Sequence, residues 1–155
     1  MDRVYRMKTW KAIVLLAAAE TLCVGAGMGV PVFVILFGVP VGWWIGRRNS
    51  LDAELQPSTL RRALWGALVP ASMTLGFMAV IWLPQIRLLG DPSFDAAEWG
   101  IPMWLYTPTA SFWGWMALMV VVSPALQLLT AVFGAFLALM LPGHHERAAV
   151  RNPSN

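Results

Sequence analysis

Glu20 is the one charged side chain in an apolar stretch that runs from Ala12 to Gly46. In a helix its neighbours one turn away are Leu16 and Ala17 before it and Cys23 and Val24 after it, and none of them can satisfy a carboxyl group. A carboxylate at this depth in hydrocarbon is costly, so Glu20 belongs on the inner face of a bundle or beside a water-filled cavity. No lysine, arginine or histidine lies well inside any apolar run, so the carboxyl is expected to keep its proton much of the time. Two kinds of chemistry follow. Glu20 can bind and release a proton or cation in a carrier, or it can stay protonated and hydrogen-bond a neighbouring helix. Gln127 and Thr130 in the last apolar run, and Ser72 and Thr74 in the third, are its candidate partners.

The remaining chemistry-bearing groups are sparse. Asp91, Asp95 and Glu98 recur at roughly one-turn spacing in a polar segment, which reads as a solvated acidic face ahead of a weak cation site. His144, His145 and Glu146 are consecutive and follow the last apolar run, a poor geometry for ligating a metal. With no histidine inside the apolar runs, a haem held by paired histidines is excluded. Cys23 is the single cysteine, so there is no intrachain disulfide and no paired-cysteine motif. The glycines of 25–29 lack the strand-then-helix setting of a phosphate loop. No nucleophile stands near a base, and neither a cofactor nor a metal is expected, which leaves an enzyme as the least favoured class.

The elements that must position Glu20 follow from composition. Of 155 residues, 58% are hydrophobic and 12% charged, and the mean hydropathy is +0.63. That charge content is about half that of a soluble domain, and it points to lipid as the solvent. The stretch 12–46 would reach about 50 Å as one helix, against a hydrocarbon core of about 30 Å, so it must turn. Glycines 25, 27 and 29 followed by Pro31 supply the turn. Spans are expected near 12–28, 31–46, 62–83 and 112–141, in one all-α transmembrane domain covering 1–147: a four-transmembrane-helix bundle. Ser58 is a candidate N-cap for the third span and Pro84 its stop. In the outer loop 85–110, Asp91, Pro92 and Gly100 spell the start and end of a short interfacial helix. Residues 148–155 read as a disordered tail.

Charge sets the orientation. Four spans put the N-terminal segment, the 47–62 loop and the tail on one side, with four, four and two of the 11 basic residues. The other side has Arg87 against Asp91, Asp95 and Glu98. The basic side is therefore cytoplasmic, with both termini, in a multi-pass protein of the cell membrane. Arg47, Arg48, Arg61 and Arg62 are placed to meet lipid headgroups, and the nine tryptophans fall in two belts near the membrane surfaces. A cleaved signal over 1–26, ending Val24-Gly25-Ala26, is a rival for the first span, but Glu20 sits late in it and the apolar character runs on. The basic residues form no patch interleaved with aromatics, so nucleic acid is not a partner; the lipid bilayer is, with a second copy or another membrane protein as further candidates.

Small residues repeat at four-residue spacing: Gly25 and Gly29; Gly38, Gly42 and Gly46; Ala131 and Ala135. Such stripes let helix backbones approach closely, inside one chain or between copies. Pro40, Pro70 and Pro124 each free a carbonyl one turn earlier, at Leu36, Gly66 and Val120. The aromatic 85–110 segment is expected to fold over the short first two spans as a lid. Through Ala18-Ala19-Glu20 in the first of four short spans, the chain resembles the small multidrug transporters. That resemblance covers helix count and the placement of one glutamate, and it implies a carrier working through Glu20. Two functions are carried forward. The leading one is a non-catalytic accessory or assembly subunit that works by helix association. The other is a small proton- or cation-coupled carrier or permeation pathway that uses Glu20.

Overall fold

A computed structural model describes residues 7–27, 31–50, 57–91, 93–95, 97–98, 100–103 and 105–141, with the backbone alone for Ser50 and 57–60. The described residues form helices and turns without a strand. The helices are α1 (Thr9–Ala26), α2 (Val32–Ser50), α3 (Pro57–Trp82), α4 (Pro108–Ala117) and α5 (Ser123–Met140). A 3-10 helix, Leu83–Gly90, continues α3, and a π-helical turn, Leu118–Val122, joins α4 to α5 into one long rod. Three stretches are long and apolar enough to cross a membrane: Thr9–Ala26, Arg61–Gly90 and Pro108–Met140. The apolar part of α2 is shorter. Residues 32–46 rise about 22 Å before Arg47 and Arg48 take over its last turn. Those cations sit where the helix dipole favours them.

Helix ends follow local chemistry. The α-helical part of the third rod stops at Trp82, two residues before Pro84, and tightens into the 3-10 helix with that proline in its first turn. The fourth rod starts earlier than expected, at Pro108, because Thr107 caps it: the Thr107 hydroxyl accepts from the Ala110 N–H at 3.2 Å. Within that rod, the π turn lies directly before Pro124, whose missing N–H cannot serve the Val120 carbonyl. There the Ser123 N–H reaches back to the Leu118 carbonyl and the Ser123 hydroxyl donates to the Met119 carbonyl.

The expected helix between Asp91 and Gly100 is absent from the described residues, which form turns there. The Asp91 carboxylate accepts from the Ser93 N–H at 2.9 Å and the Ser93 hydroxyl at 2.7 Å, and Asp95 accepts from the Ala97 N–H at 2.9 Å. These short-range bonds close turns in competition with a helix. Gly100, with φ of +69°, then takes the chain through a left-handed position. The loop folds onto α3 and α4: Ile101 is buried with Phe112 and Met116, and Leu89, Phe94 and Trp82 pack around them. Its seat is thus the C-terminal end of α3 and the face of α4. The 28–30 turn that it was expected to cover lies outside the described residues, as do Gly29, Pro92, Trp99, Trp104, His144, His145, Glu146 and the 148–155 tail.

The centre of the molecule is the pairing of α2 with α5, the most extensive helix–helix contact, with α3 against both. Glycine makes it possible. A Cβ at Gly42 would lie 1.8 Å from the Ala131 carbonyl oxygen, one at Gly46 2.6 Å from that of Ala135, and one at Gly134 2.2 Å from that of Val39. The two backbones are therefore in direct contact along three turns. Gly25 of α1 is exposed and a Cβ there would meet nothing within 4 Å. Gly42→Ala should accordingly lower stability by about 1–3 kcal/mol through overpacking against backbone. Gly25→Ala should leave it unchanged or slightly higher, because alanine is the better helix former. Unfolding titrations of both variants in mixed detergent micelles measure the difference.

Candidate functional site: a buried carboxyl shared by three helices

α1 lies lightly on the rest of the bundle. Its buried residues are Glu20 and Val24, one turn apart on one face. Glu20 itself is 0% exposed. α3 buries a stripe of Ala63, Ala67, Ala71, Thr74 and Met78 at helical spacing, and its Thr74 and Met78 meet Glu20 and Val24 of α1. Thr74 is the polar member of that stripe. The corresponding face of α5 runs Ser123, Gln127, Ala131 and Ala135. Gln127 follows Ser123 by one turn and precedes the alanines that receive the α2 glycines.

These faces bring three side chains together. The Thr74 hydroxyl donates to Glu20 Oε2 at 2.9 Å, and Gln127 Nε2 donates to Glu20 Oε1. Each carboxyl oxygen therefore has a partner from a different helix, α3 on one side and α5 on the other. All three side chains are fully buried. Gln127 Oε1 is also buried and has no hydrogen-bond partner. Turning the amide over would let a protonated Glu20 donate to that oxygen, and would move the unpartnered position to Nε2. Either way the amide has one end more than the carboxyl can use, an exception to the rule that buried polar atoms are bonded.

The other sequence candidates go elsewhere. Ser72 is exposed. Thr130 turns to α2: its Oγ1 lies 2.7 Å from the Ile35 carbonyl oxygen and 2.9 Å from that of Gln127, as donor. Gly38 leaves room for it, since a Cβ there would stand 2.1 Å from Thr130 Oγ1. Thr130 is thus a tie between α2 and α5 and no partner of Glu20. Asp91 and Asp95 of the acidic cluster are spent on turns of their own segment. Ser93, through its hydroxyl and its N–H, holds the Asp91 carboxyl below the usual carboxylate range. Among the described residues no group of three His, Cys, Asp or Glu side chains could hold a metal.

At the basic end, Arg47 stacks on Trp43 and Arg48 on Trp44, each with its guanidinium carbon 5.2 Å from the ring centroid. Arg48 also donates to the Thr9 hydroxyl of α1 at 3.1 Å. Arg61 and Arg62 are exposed on α3. Trp10, near the start of α1, and Trp65, one turn after Arg61 in α3, are 60% and 63% exposed.

No family model, curated protein or solved structure matches this chain. The site therefore stands on its geometry.

Sequence reading did not single out the Arg48–Thr9 bond or the Thr107 cap. The Thr107-Pro108 pair was a legible signal for the second, an N-cap followed by proline at the first helical position. The Glu20 bonds make a direct expectation. Glu20→Ala orphans Thr74 and Gln127 and should cost about 0.6–2 kcal/mol. Glu20→Gln keeps an acceptor and a donor in place and should cost much less, because the Thr74 hydroxyl can rotate to accept. Thr130→Val should destabilise on its own and add to Glu20→Ala without coupling, whereas Thr74→Val should be non-additive with it. Double-mutant cycles on unfolding in mixed micelles read these differences.

Proposed function

We propose that the chain is a four-span protein of the cell membrane with both termini on the cytoplasmic side, and that it acts by helix association, as a non-catalytic accessory or assembly subunit. Three helices meet the length and hydropathy needed to cross a membrane. Counting α2 as the fourth crossing keeps the basic segments together on one side. The observation that carries the functional reading is the state of Glu20. Both of its carboxyl oxygens are taken by side chains of α3 and α5, and it is fully buried. A carrier would have to break those bonds and open the site to each side in turn. A subunit that holds its first helix in place needs only to keep them. The outer faces of α1, with Trp10, Val14, Leu15 and Leu22 exposed by 58–73%, remain available to lipid, to a second copy or to another membrane protein. No role with nucleic acid is proposed.

A second reading, a small proton- or cation-coupled carrier, draws on one feature. Gln127 Oε1 is a buried acceptor beside a carboxyl, and it has no partner.

Reconstitution in liposomes with a trapped pH dye separates the two. The protein should carry no proton flux above empty liposomes, and association between labelled copies, read by energy transfer in lipid-diluted bilayers, should survive Glu20→Gln and weaken with Glu20→Ala. A wild-type proton flux abolished by Glu20→Gln would establish the carrier instead. Topology has its own check. In a Cys23-free background, a single cysteine replacing Asp95 should be labelled from outside intact cells, and those replacing Ser50 or Ser154 should be protected. Outside labelling at position 50 would overturn the four-span arrangement.

A further inference from the structure

Between α1, α2 and α3 lies a cleft of about 370 Å³. Its walls are apolar, formed by Leu16, Ala19, Phe37, Val41, Ile45 and Val69 among others. Along α1 it runs from Thr9 to Ala19, a rise of about 15 Å, which is half of a hydrocarbon core of about 30 Å. Its depth is therefore that of one leaflet. Its polar end is formed by Thr9, Arg48, Asn49 and Arg62. Among the described residues no carboxylate stands at that end: Glu20 lies deeper and does not line the cleft, and Asp91, Asp95 and Glu98 belong to the opposite end of the helices.

We infer that this cleft is a binding site for an anionic phospholipid, with one acyl chain between α1 and α2 and the headgroup phosphate at Arg48 and Arg62. Shape and polarity favour a lipid over a partner helix: the cleft is apolar along about 15 Å of α1, the depth of one leaflet, and carries its cations at one end, as a single acyl chain beneath a headgroup requires. Charge favours an anionic headgroup, because two guanidinium groups, those of Arg48 and Arg62, line the polar end of the cleft. Arg48 is held in position by its stack on Trp44 and its bond to Thr9, and one guanidinium offers five donors, of which Thr9 uses one. Charge-assisted bonds from arginine to phosphate oxygens are strong and directional. Bound there, the lipid would wedge the lower half of α1 against α2, where the two helices have little direct contact. This inference does not depend on the accessory role proposed above.

Native mass spectrometry of the full chain in detergent, with phosphatidylglycerol or phosphatidylcholine of identical chains, provides the test. Phosphatidylglycerol should bind about thirtyfold more tightly, which is roughly 2 kcal/mol for two arginines at the headgroup. Arg48→Gln with Arg62→Gln should abolish that preference, and Arg47→Gln with Arg61→Gln, whose side chains do not line the cleft, should preserve it. Ala12→Phe, which fills the cleft, should weaken both lipids by a similar factor. Equal loss in the two arginine pairs would reduce the effect to a diffuse basic surface and overturn the site. So would unchanged binding in Ala12→Phe.

Discussion

A carboxyl group in the middle of a membrane-crossing helix must be satisfied by another helix, and in this chain that requirement governs how α1 is held. Lipid supplies no hydrophobic force between helices, since lipid tails are as apolar as the side chains they replace. Most of α1 faces outward, and its buried residues are Glu20 and Val24. The two hydrogen bonds of Glu20, one to α3 and one to α5, are therefore its main directional attachments at mid-height, with the Arg48–Thr9 bond at the basic end. Removing water from around the carboxyl raises the cost of leaving it unpaired, and this is what makes two modest bonds decisive.

The rest of the bundle is built on a different principle. α2 and α5 touch backbone to backbone because Gly38, Gly42, Gly46 and Gly134 present no Cβ. Close approach gains dispersion contacts along the whole interface and lets Thr130 reach the Ile35 carbonyl. The same contact orients α5 so that Gln127 points to the side where α1 and α3 meet. The glycine seam and the carboxyl thus belong to one construction: the seam fixes α5, α5 places Gln127, and Gln127 with Thr74 holds Glu20. The cleft below Glu20 is where this construction stops, since α1 has no comparable seam with α2.

Much of this was legible in the residues and some of it was not. Glu20 stood out because a lone charge in an apolar run has few physical solutions. Gln127 and Thr74 were among its named partners, but so were Thr130 and Ser72. The sequence could not separate them because a helix in lipid is apolar all round, so the periodicity that would mark an inner face is faint. Ser72 and Thr74, two residues apart, point to different faces, and only packing selects Thr74. Thr130 was displaced by reach: its short hydroxyl finds a carbonyl of α2, which the glycine at 38 brings within range. The 85–110 loop misled for another reason. Asp91, Pro92 and Gly100 are helix punctuation, yet Asp91 and Asp95 cap turns two residues on, and the buried Ile101 fixes the segment against α4. Gly25 shares the four-residue spacing of the α2 glycines without their contact, so spacing alone did not identify a packing face.

On the reading proposed above, Glu20 is a dry, permanently bonded tie between helices. Infrared difference spectroscopy on the protein in bilayers tests it most directly, with the carboxyl band assigned by Glu20→Gln. The band should stay unchanged as pH is varied across the physiological range, and it should shift only slowly after transfer to deuterated water. A band that titrates in that range and exchanges at once with bulk water would contradict the claim and make Glu20 a proton-handling group.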